Sequence, residues 1–478
     1  MQSDVWSTIE KTFYLNDVVL VENSIMNNHN INIQWKLPQS LQNKLEARGK
    51  IYFVGGYIRD RLIGIERTDQ DILVIGIASD ELVKILQEYG FAEWVGKSFS
   101  VIKFHYGGQI YDISIPSRRT AEGSIPDENL SLEDDLLSRD FTINSIAYDI
   151  KTGELIDPAN GIEDIKSKVL RMTSEHSFDT DPLRLLRLCR LRAKLNFRIE
   201  PKTFAIAKNS VFKLTKISPE RIGEEFTKIM KLDKPSSAFR CMQELGILEL
   251  VIPELAECVG ITQPGGMHAY DVFEHILHTI DESPRKPLVR FAAMFHDITK
   301  PRHREIAENG RAKFYNHQIS AAKVAERWLE KYAFSKRFAE NVAKLVRYHM
   351  FTHAETEKGI RRFVRKVGEE LLDDIFQLRF ADTKAQGLGG DMDAEMEYYE
   401  RTMKILSEKP PLSVKSLAVN GNDVMNILQI PPGPIVGEVL NKLLEIVIDD
   451  PSKNRREILI DLMKNMDFLK KRENRKLN

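Results

Sequence analysis

Residues 51–75 constrain the fold of this chain more than any other stretch. Residues 51–54 read as a strand, Gly55-Gly56 opens a predicted helix over 57–62, and Asp69 and Asp71 head the apolar run 72–75. A strand, a tight turn, a helix and a second strand in so few residues belong to an α/β or α+β domain. Strand side chains alternate with period two, so Asp69 and Asp71 project from one face. Two close carboxylates repel unless a cation lies between them. Hard oxygen ligands at this spacing suit Mg²⁺, which bridges to phosphates. Glycines without Cβ atoms let backbone approach a phosphate, and free N–H groups at a helix start favour anions. Taken singly, the glycine pair also reads as a plain turn and the acidic pair as a solvated strand edge.

The 478 residues are long enough for about three or four domains. Net charge is −1, so any nucleic-acid surface must come from local clustering of cations. Cys189, Cys241 and Cys258 lack Cys-x-x-Cys spacing and read as buried free thiols of a reducing compartment. No long apolar run is present and residues 1–20 are too polar for a signal peptide, so the expectation is a soluble cytoplasmic protein with no membrane partner.

Along the chain, residues 1–36 form a weakly periodic N-terminal extension and 37–165 a head in which strands and helices alternate. Strands are predicted at 51–54, 72–75, 100–105 and 110–115, with a helix over 80–89. After Asp157-Pro158 the pattern turns helical: 181–194, 202–209, 219–230 and 236–245 in a neck over 166–262. A helical block over 263–400 holds most of the histidines, and a helical tail follows over 401–478.

In the head, the alternating strand around Asp112 offers a third carboxylate if it neighbours Asp69 and Asp71. Three carboxylates around paired Mg²⁺ suit in-line nucleotidyl displacement. Arg139 could reach a triphosphate, and Asp140 and Asn144 a ribose or backbone; a helix entry capped by Asp140 is the equal alternative. Asp181-Pro182 reads as an N-cap with proline at the first helical position. Arg184, Arg187 and Arg190 then make a basic stripe whose plain reading is a solvated face.

Gly55-Gly56-x-x-Arg59-Asp60, Asp69-x-Asp71, Arg139-Asp140-Phe-Thr-x-Asn144, Asp181-Pro-Leu-Arg184-x-x-Arg187 and Ser218-x-Glu220-Arg221-Ile222 follow one another in order. In this the chain resembles the class II tRNA nucleotidyltransferases and bacterial poly(A) polymerases, from about Tyr52 to Met230. The resemblance implies a multidomain α+β, polymerase β-like nucleotidyltransferase head with mostly α-helical domains behind it. It implies that Asp69 and Asp71 hold catalytic Mg²⁺ with Asp112 assisting, that Arg59 and Arg139 contact the triphosphate, and that Asp181 and Arg184 read the base. Gly55, Gly56, Asp140, Asn144 and Arg187 complete the nucleotide site. The implied substrates are tRNA, CTP and ATP. Ser138 and Thr180 depart from the family's usual arginine and glutamate, and 118–138 is short, which leaves CCA, CC-only, A-only and poly(A) addition open.

In the histidine block, an isolated histidine on an apolar helix face is usually a packed core residue. Adjacent His296-Asp297 with His275 and Asp382 resembles the HD superfamily of metal-dependent phosphohydrolases, with His317 and His349 as the extra ligands of two-metal members. Lys300 follows as in His-Asp-x-x-Lys, with Thr299 in place of the usual glycine. The resemblance implies a divalent transition ion (Mn, Ni, Fe or Zn) and a possible second activity on RNA ends, which could instead be the active centre beside a non-catalytic head. Arg221, Arg361, Arg362, Arg365, Lys366 and the 470–476 cluster are expected to contact tRNA phosphates. Oligomeric state stays open.

Overall fold

The computed structural model describes residues 33–66, 70–94, 101–120, 123–264, 269–388 and 390–465. Asp69, His268, most of the N-terminal extension and the 470–476 cluster lie outside them. The chain divides into two compact units, Met1–Pro253 and Glu254–Asn478, with a boundary inside the 166–262 segment. Among the described residues no helix is long and apolar enough to cross a membrane.

The first unit is built on a seven-stranded sheet of order β3-β4-β5-β2-β1-β8-β9. Its strands are β1 (Lys50–Val54), β2 (Asp71–Ile75), β3 (Phe91–Trp94), β4 (Val101–Tyr106), β5 (Gln109–Ser114), β8 (Ala147–Asp149) and β9 (Leu155–Ile156). β2 and β5 run parallel and the other neighbours antiparallel. β6 (Ser117–Thr120) and β7 (Gly123–Pro126) form a separate hairpin. The period-two pattern identified four of these strands. β3 and β6 to β9 escape it because they are short and several are exposed edges, where alternation has no face to define.

Helix α1 (Gln39–Glu46) precedes β1, α2 (Gly55–Leu62) joins it to β2, and α3 (Ser79–Gln87) leads to β3. Ser131 caps α4 (Leu132–Leu137) by accepting from the Asp134 amide. Helices α5 (Arg184–Leu195), α6 (Pro201–Ser210), α7 (Pro219–Met230) and α8 (Ser236–Leu245) follow. Phe226 on α7 meets Phe239 on α8 at 6.1 Å between ring centroids, in the core of this helical half. The helix expected from Asp181 begins at Arg184 instead. Asp181 is extended, with φ −143° and ψ 96°, and its carbonyl accepts from Arg184 N in a tight turn.

The second unit is helical: α9 (Val272–Glu282), α10 (Pro287–Phe295), α11 (His317–Lys331), α12 (Lys336–Tyr348), α13 (Glu357–Val367), α14 (Leu372–Ala385) and α15 (Met392–Ser407). Asp271 caps α9, accepting from the Glu274 amide at 2.7 Å. A helix apolar on every side belongs at the centre of its domain. α10 comes close, its one charged residue, Arg290, being itself buried, with Phe291 and Phe295 fully buried against Trp328 of α11. A two-strand hairpin, β10 (Glu305–Ile306) and β11 (Ala312–Lys313), lies between α10 and α11. Helices α16 (Gly421–Leu428), α17 (Pro434–Asp449) and α18 (Arg456–Lys464) close a separate small core around Val424, Val439, Leu443 and Leu459.

Candidate functional site

In the first unit, a cavity of about 460 Å³ opens where β1 ends and α2 begins. Gly55 sits there with φ +66°, a left-handed conformation that glycine adopts without strain. A Cβ on it would lie 2.9 Å from Arg139 Nη1. Asp71, the first residue of β2, is in direct register with Asp112 of the parallel strand β5, so both carboxylates face the cavity. The Tyr57 amide donates to Asp71 Oδ2 at 3.3 Å. Lys103, cross-strand from Asp112 on β4, pairs with its carboxylate. Sequence inspection missed Lys103, because only the β4–β5 register reveals its partner.

The rest of the lining is rich in cations. Arg139, Arg187, Arg190, Lys194, Arg221 and Lys228 all line the cavity. Arg187 and Lys194 belong to one continuous hydrogen-bonded network. Lys194 donates to Asp60 Oδ2 at 2.8 Å, and Arg59 donates to Asp60 Oδ1 at 2.8 and 2.6 Å and to Asn144 Oδ1 at 2.5 Å. Asn144 donates to Asp140 Oδ1 at 2.8 Å, and Arg187 donates to Asp140 Oδ2 at 2.9 and 2.5 Å. Burial alone would raise the Asp140 carboxyl, but the Arg187 and Arg184 guanidiniums hold it well below the usual carboxylate range. Asp140 in turn holds Arg187 fully charged against the cost of its burial.

The stripe Arg184, Arg187, Arg190 is therefore not a solvated face. Arg184 is buried and donates to Ser177 Oγ at 2.8 Å and to Ser138 O at 2.6 Å, tying the turn before α5 to the end of α4. Arg190 pairs with the buried Glu225 of α7. The carboxylate of Asp181 receives a hydrogen bond from Arg221 at 2.8 Å. Arg139 donates to Asp135 Oδ2 at 2.8 Å, and Arg59 is turned toward Asp60 and Asn144 within the same lining. The helical spacing of these arginines was legible. Their carboxylate partners, up to 47 residues away, were not.

The expectation that Arg361 meets RNA phosphate does not hold. It is buried and donates to Ile448 O at 2.7 Å and Asp449 O at 3.3 Å, capping the C-terminus of α17, where a cation is favoured. Arg362 pairs with Asp449 and Arg365 with Glu445 on that same helix.

In the second unit, His275 on α9, His296 and Asp297 after α10, His317 opening α11, His349 ending α12 and Asp382 on α14 converge on one buried point. His275 Nε2 lies 3.0 Å from Asp382 Oδ1 and 3.5 Å from Asp297 Oδ2, and His296 Nε2 lies 3.2 Å from that same oxygen. His317 Nε2 is 3.1 Å and His349 Nε2 3.8 Å from Asp297 Oδ1. Asp297 thus presents one oxygen to each histidine pair.

Backbone carbonyls orient the rings. The Nδ1 atoms of His296, His317 and His349 lie 2.7, 2.6 and 2.8 Å from the carbonyls of Ala293, Phe314 and Val346. His275 Nδ1 is 3.4 Å from Ala385 O. A carbonyl only accepts, so each Nδ1 carries the hydrogen and each Nε2 turns a lone pair inward. His275 and His296 then face each other with Nε2 atoms 3.3 Å apart, and the buried Nε2 of His317 has no hydrogen-bond partner among the described residues. Convergent lone pairs with a shared carboxylate fit one or two divalent ions. Two sets, His275/His296/Asp297 and Asp297/His317/His349, each keep their ligand atoms within 4.8 Å of one another. Burial, then His296, push His349 down to about 3. At His296 burial lowers the pKa, but Asp297 more than offsets it, so the field there favours positive charge, whether a proton or a metal ion.

Three further histidines of this unit have ordinary roles. His278 stacks on Tyr270, His303 contacts Ser320 Oγ at 2.8 Å, and His353 contacts Glu395 at 2.9 Å.

Comparison with known proteins agrees with this architecture. The family described as "Poly A polymerase head domain" matches residues 51–171, "Probable RNA and SrmB- binding site of polymerase A" matches 196–259, and the tRNA nucleotidyltransferase domain 2 family matches 312–463. The chain is 34% identical over 333 residues to the A-adding tRNA nucleotidyltransferase of Deinococcus radiodurans, covering 66% of this chain and 75% of that one. It is 32% identical over 333 residues to the multifunctional CCA protein of Teredinibacter turnerae, covering 66% and 78%. The fold is similar to the CCA-adding enzyme of Bacillus stearothermophilus solved with CTP. There the TM-score is 0.65 and the identity 20%, over 91% of this chain and 100% of that one. The chain belongs to the family of tRNA nucleotidyltransferases and poly(A) polymerases.

Proposed function

We propose that this chain is a template-independent RNA nucleotidyltransferase that adds C, A or both, from CTP and ATP, to tRNA 3′ ends. The observation that carries this is one cavity lined both by Asp71 and Asp112, in register on adjacent strands, and by several arginines and lysines. Divalent metal use goes with membership of this family, and half-exposed carboxylates side by side on parallel strands suit Mg²⁺. Asp71 and Asp112, with Asp69, would hold it. Bound Mg²⁺ supplies activation of the attacking hydroxyl and neutralises charge on the pyrophosphate leaving group.

The chain's own residues do the rest. Gly55 and Gly56 bring backbone close to the phosphates, and Arg139 and Arg187 supply fixed positive charge toward them. Asp140, braced by Asn144 and Arg59, holds Arg187 in place, and Asp135 holds Arg139. Asp181 accepts from the exocyclic amino group shared by C and A, whereas G and U present a carbonyl that its charge repels. Arg221 orients that carboxylate, and Arg184 fixes the turn that carries it. In this proposal 37–165 is the nucleotidyltransferase head, 166–262 the RNA-binding neck, 263–400 an HD-type domain and 401–478 the tail, after an extension over 1–36, in a cytoplasmic protein.

The test incubates the protein with tRNA transcripts lacking CCA, ending in CC, or complete, with CTP and ATP separately. Growth of the first two by defined numbers of nucleotides supports the reading and identifies CCA, CC-only or A-only addition. An unlimited A tail on all three would point to a poly(A) polymerase, and no growth on any would overturn the proposal.

A second reading rests on the inward-facing imidazoles of the other unit. We infer that His275, His296, Asp297 and Asp382, with His317 and His349, hold a divalent transition ion in an HD-type phosphohydrolase centre. Such an ion supplies Lewis acidity toward a phosphoryl oxygen. Metal analysis of protein dialysed against Mn²⁺, Ni²⁺, Fe²⁺ or Zn²⁺ tests it; absence of a retained ion in every case would sink it.

A further inference from the structure

Lys300 connects the histidine centre to a side chain that neither reading uses. Its ammonium lies 2.6 Å from Asp297 Oδ2 and donates to Gln263 Oε1 at 2.7 Å. The ring of Phe314 lies 5.1 Å from that ammonium and holds it from a third side. Gln263 is only 7% exposed. Its stretch of chain is docked through Pro264 O, which accepts from Ala312 N of β11 at 2.9 Å.

An ammonium has donors and no acceptor, so the amide must present its oxygen to Lys300 and its nitrogen elsewhere. That nitrogen, Nε2, is buried and has no hydrogen-bond partner among the described residues. Buried amide N–H groups are nearly always paired. Here a rigidly held donor sits one lysine away from the carboxylate that both histidine pairs share. What completes it is an acceptor, and beside a centre built for cations the fitting acceptor is an anionic oxygen.

We propose that Gln263 Nε2 donates a hydrogen bond to a phosphoryl oxygen of the ligand at the histidine centre, so that Gln263 is an anion-contacting residue of that centre. This rests on the phosphohydrolase reading. Lys300, already paired with Asp297, fixes the amide plane. Gln263 then contributes a neutral, directional donor that adds no charge to compete with a metal ion.

The experiment uses the full-length protein loaded with Mn²⁺. It measures Mn²⁺ stoichiometry, melting temperature and the affinity for inorganic phosphate by calorimetry. Gln263→Met keeps the length and removes the donor; Gln263→Glu keeps an acceptor for Lys300 and removes the donor. Both variants should hold Mn²⁺ and melt near the wild type, while phosphate binds about tenfold more weakly, the loss expected for one hydrogen bond to a charged group. Wild-type phosphate affinity in both variants overturns the role of Gln263 and leaves the metal centre standing. Loss of Mn²⁺ together with phosphate in both variants also overturns it, because Gln263 would then only support Lys300. Wild-type protein that retains none of Mn²⁺, Ni²⁺, Fe²⁺ or Zn²⁺ overturns the centre itself and this inference with it; if it retains one of the others but not Mn²⁺, the phosphate measurement is made with that ion. If Gln263→Met fails to fold, Gln263→Glu alone decides.

Discussion

The two candidate sites gather similar residues and treat them in opposite ways. In the cavity of the first unit Asp71 and Asp112 are half-exposed, and Asp112 is already neutralised by Lys103. In the second unit Asp297 is buried among four imidazoles whose protons face away from it. A wet, loosely charged pair suits a metal that arrives with substrate and leaves with product. A dry set of oriented nitrogen lone pairs suits an ion that stays. On the proposed readings the first is an exchangeable oxygen site and the second a retentive nitrogen site, and both burial and ligand type separate them.

The largest expected effect breaks the comparison at the first site. Asp71→Asn should lower nucleotide incorporation by about a thousandfold or more, as loss of a metal-holding carboxylate does to transition-state stabilisation. The ion content of the second unit should not change. Residual incorporation near the wild-type level would remove Asp71 from the chemistry.

Next, His296→Ala combined with Asp297→Ala should abolish retention of a transition ion while incorporation stays within about twofold of wild type. Joint loss of both activities would mean that the histidine cluster supports the whole fold.

Asp140→Asn sharpens the contrast between charges that build and charges that react. Breaking a buried ion pair costs roughly 3–5 kcal/mol, so chemical denaturation at neutral pH should show a loss of that order. The folded-state pKa of Asp140 lies below its unfolded value of roughly 3.9. Its stabilisation is therefore complete above that unfolded value and is lost as pH falls toward the folded one. The gap between wild type and variant should narrow below about pH 4; a constant gap would show that the pairing with Arg187 is not its source.

The smallest effect belongs to Lys103→Met. Removing the half-exposed ammonium frees Asp112, and the Mg²⁺ concentration for half-maximal incorporation should fall about two- to fivefold, in keeping with the modest strength of exposed pairs. An unchanged Mg²⁺ dependence would remove Lys103 from the site.

Local physics was enough for part of this protein. Alternation around Asp71 and Asp112 set which face each carboxylate takes, and the glycine pair announced a turn that requires Gly55 at φ +66°. The Pro219–Met230 and Ser236–Leu245 helices follow from apolar spacing, with proline opening the first and Gly246 closing the second. These features arise within a turn or a strand, where a residue's neighbours are its sequence neighbours.

Only the tertiary structure decided what stands opposite. Helical spacing placed Arg184, Arg187 and Arg190 on one stripe, yet solvent was the wrong partner for it. Asp140, Ser138, Ser177 and Glu225 arrive from other elements and turn that stripe into a hydrogen-bonded framework. Arg361 changes in the same way from an RNA contact to the cap of a distant helix. Lys103 and Gln263 carry no motif at all. A side chain's partner depends on strand register and helix packing across tens of residues, and those are settled by burying the core as a whole, not by any local pattern.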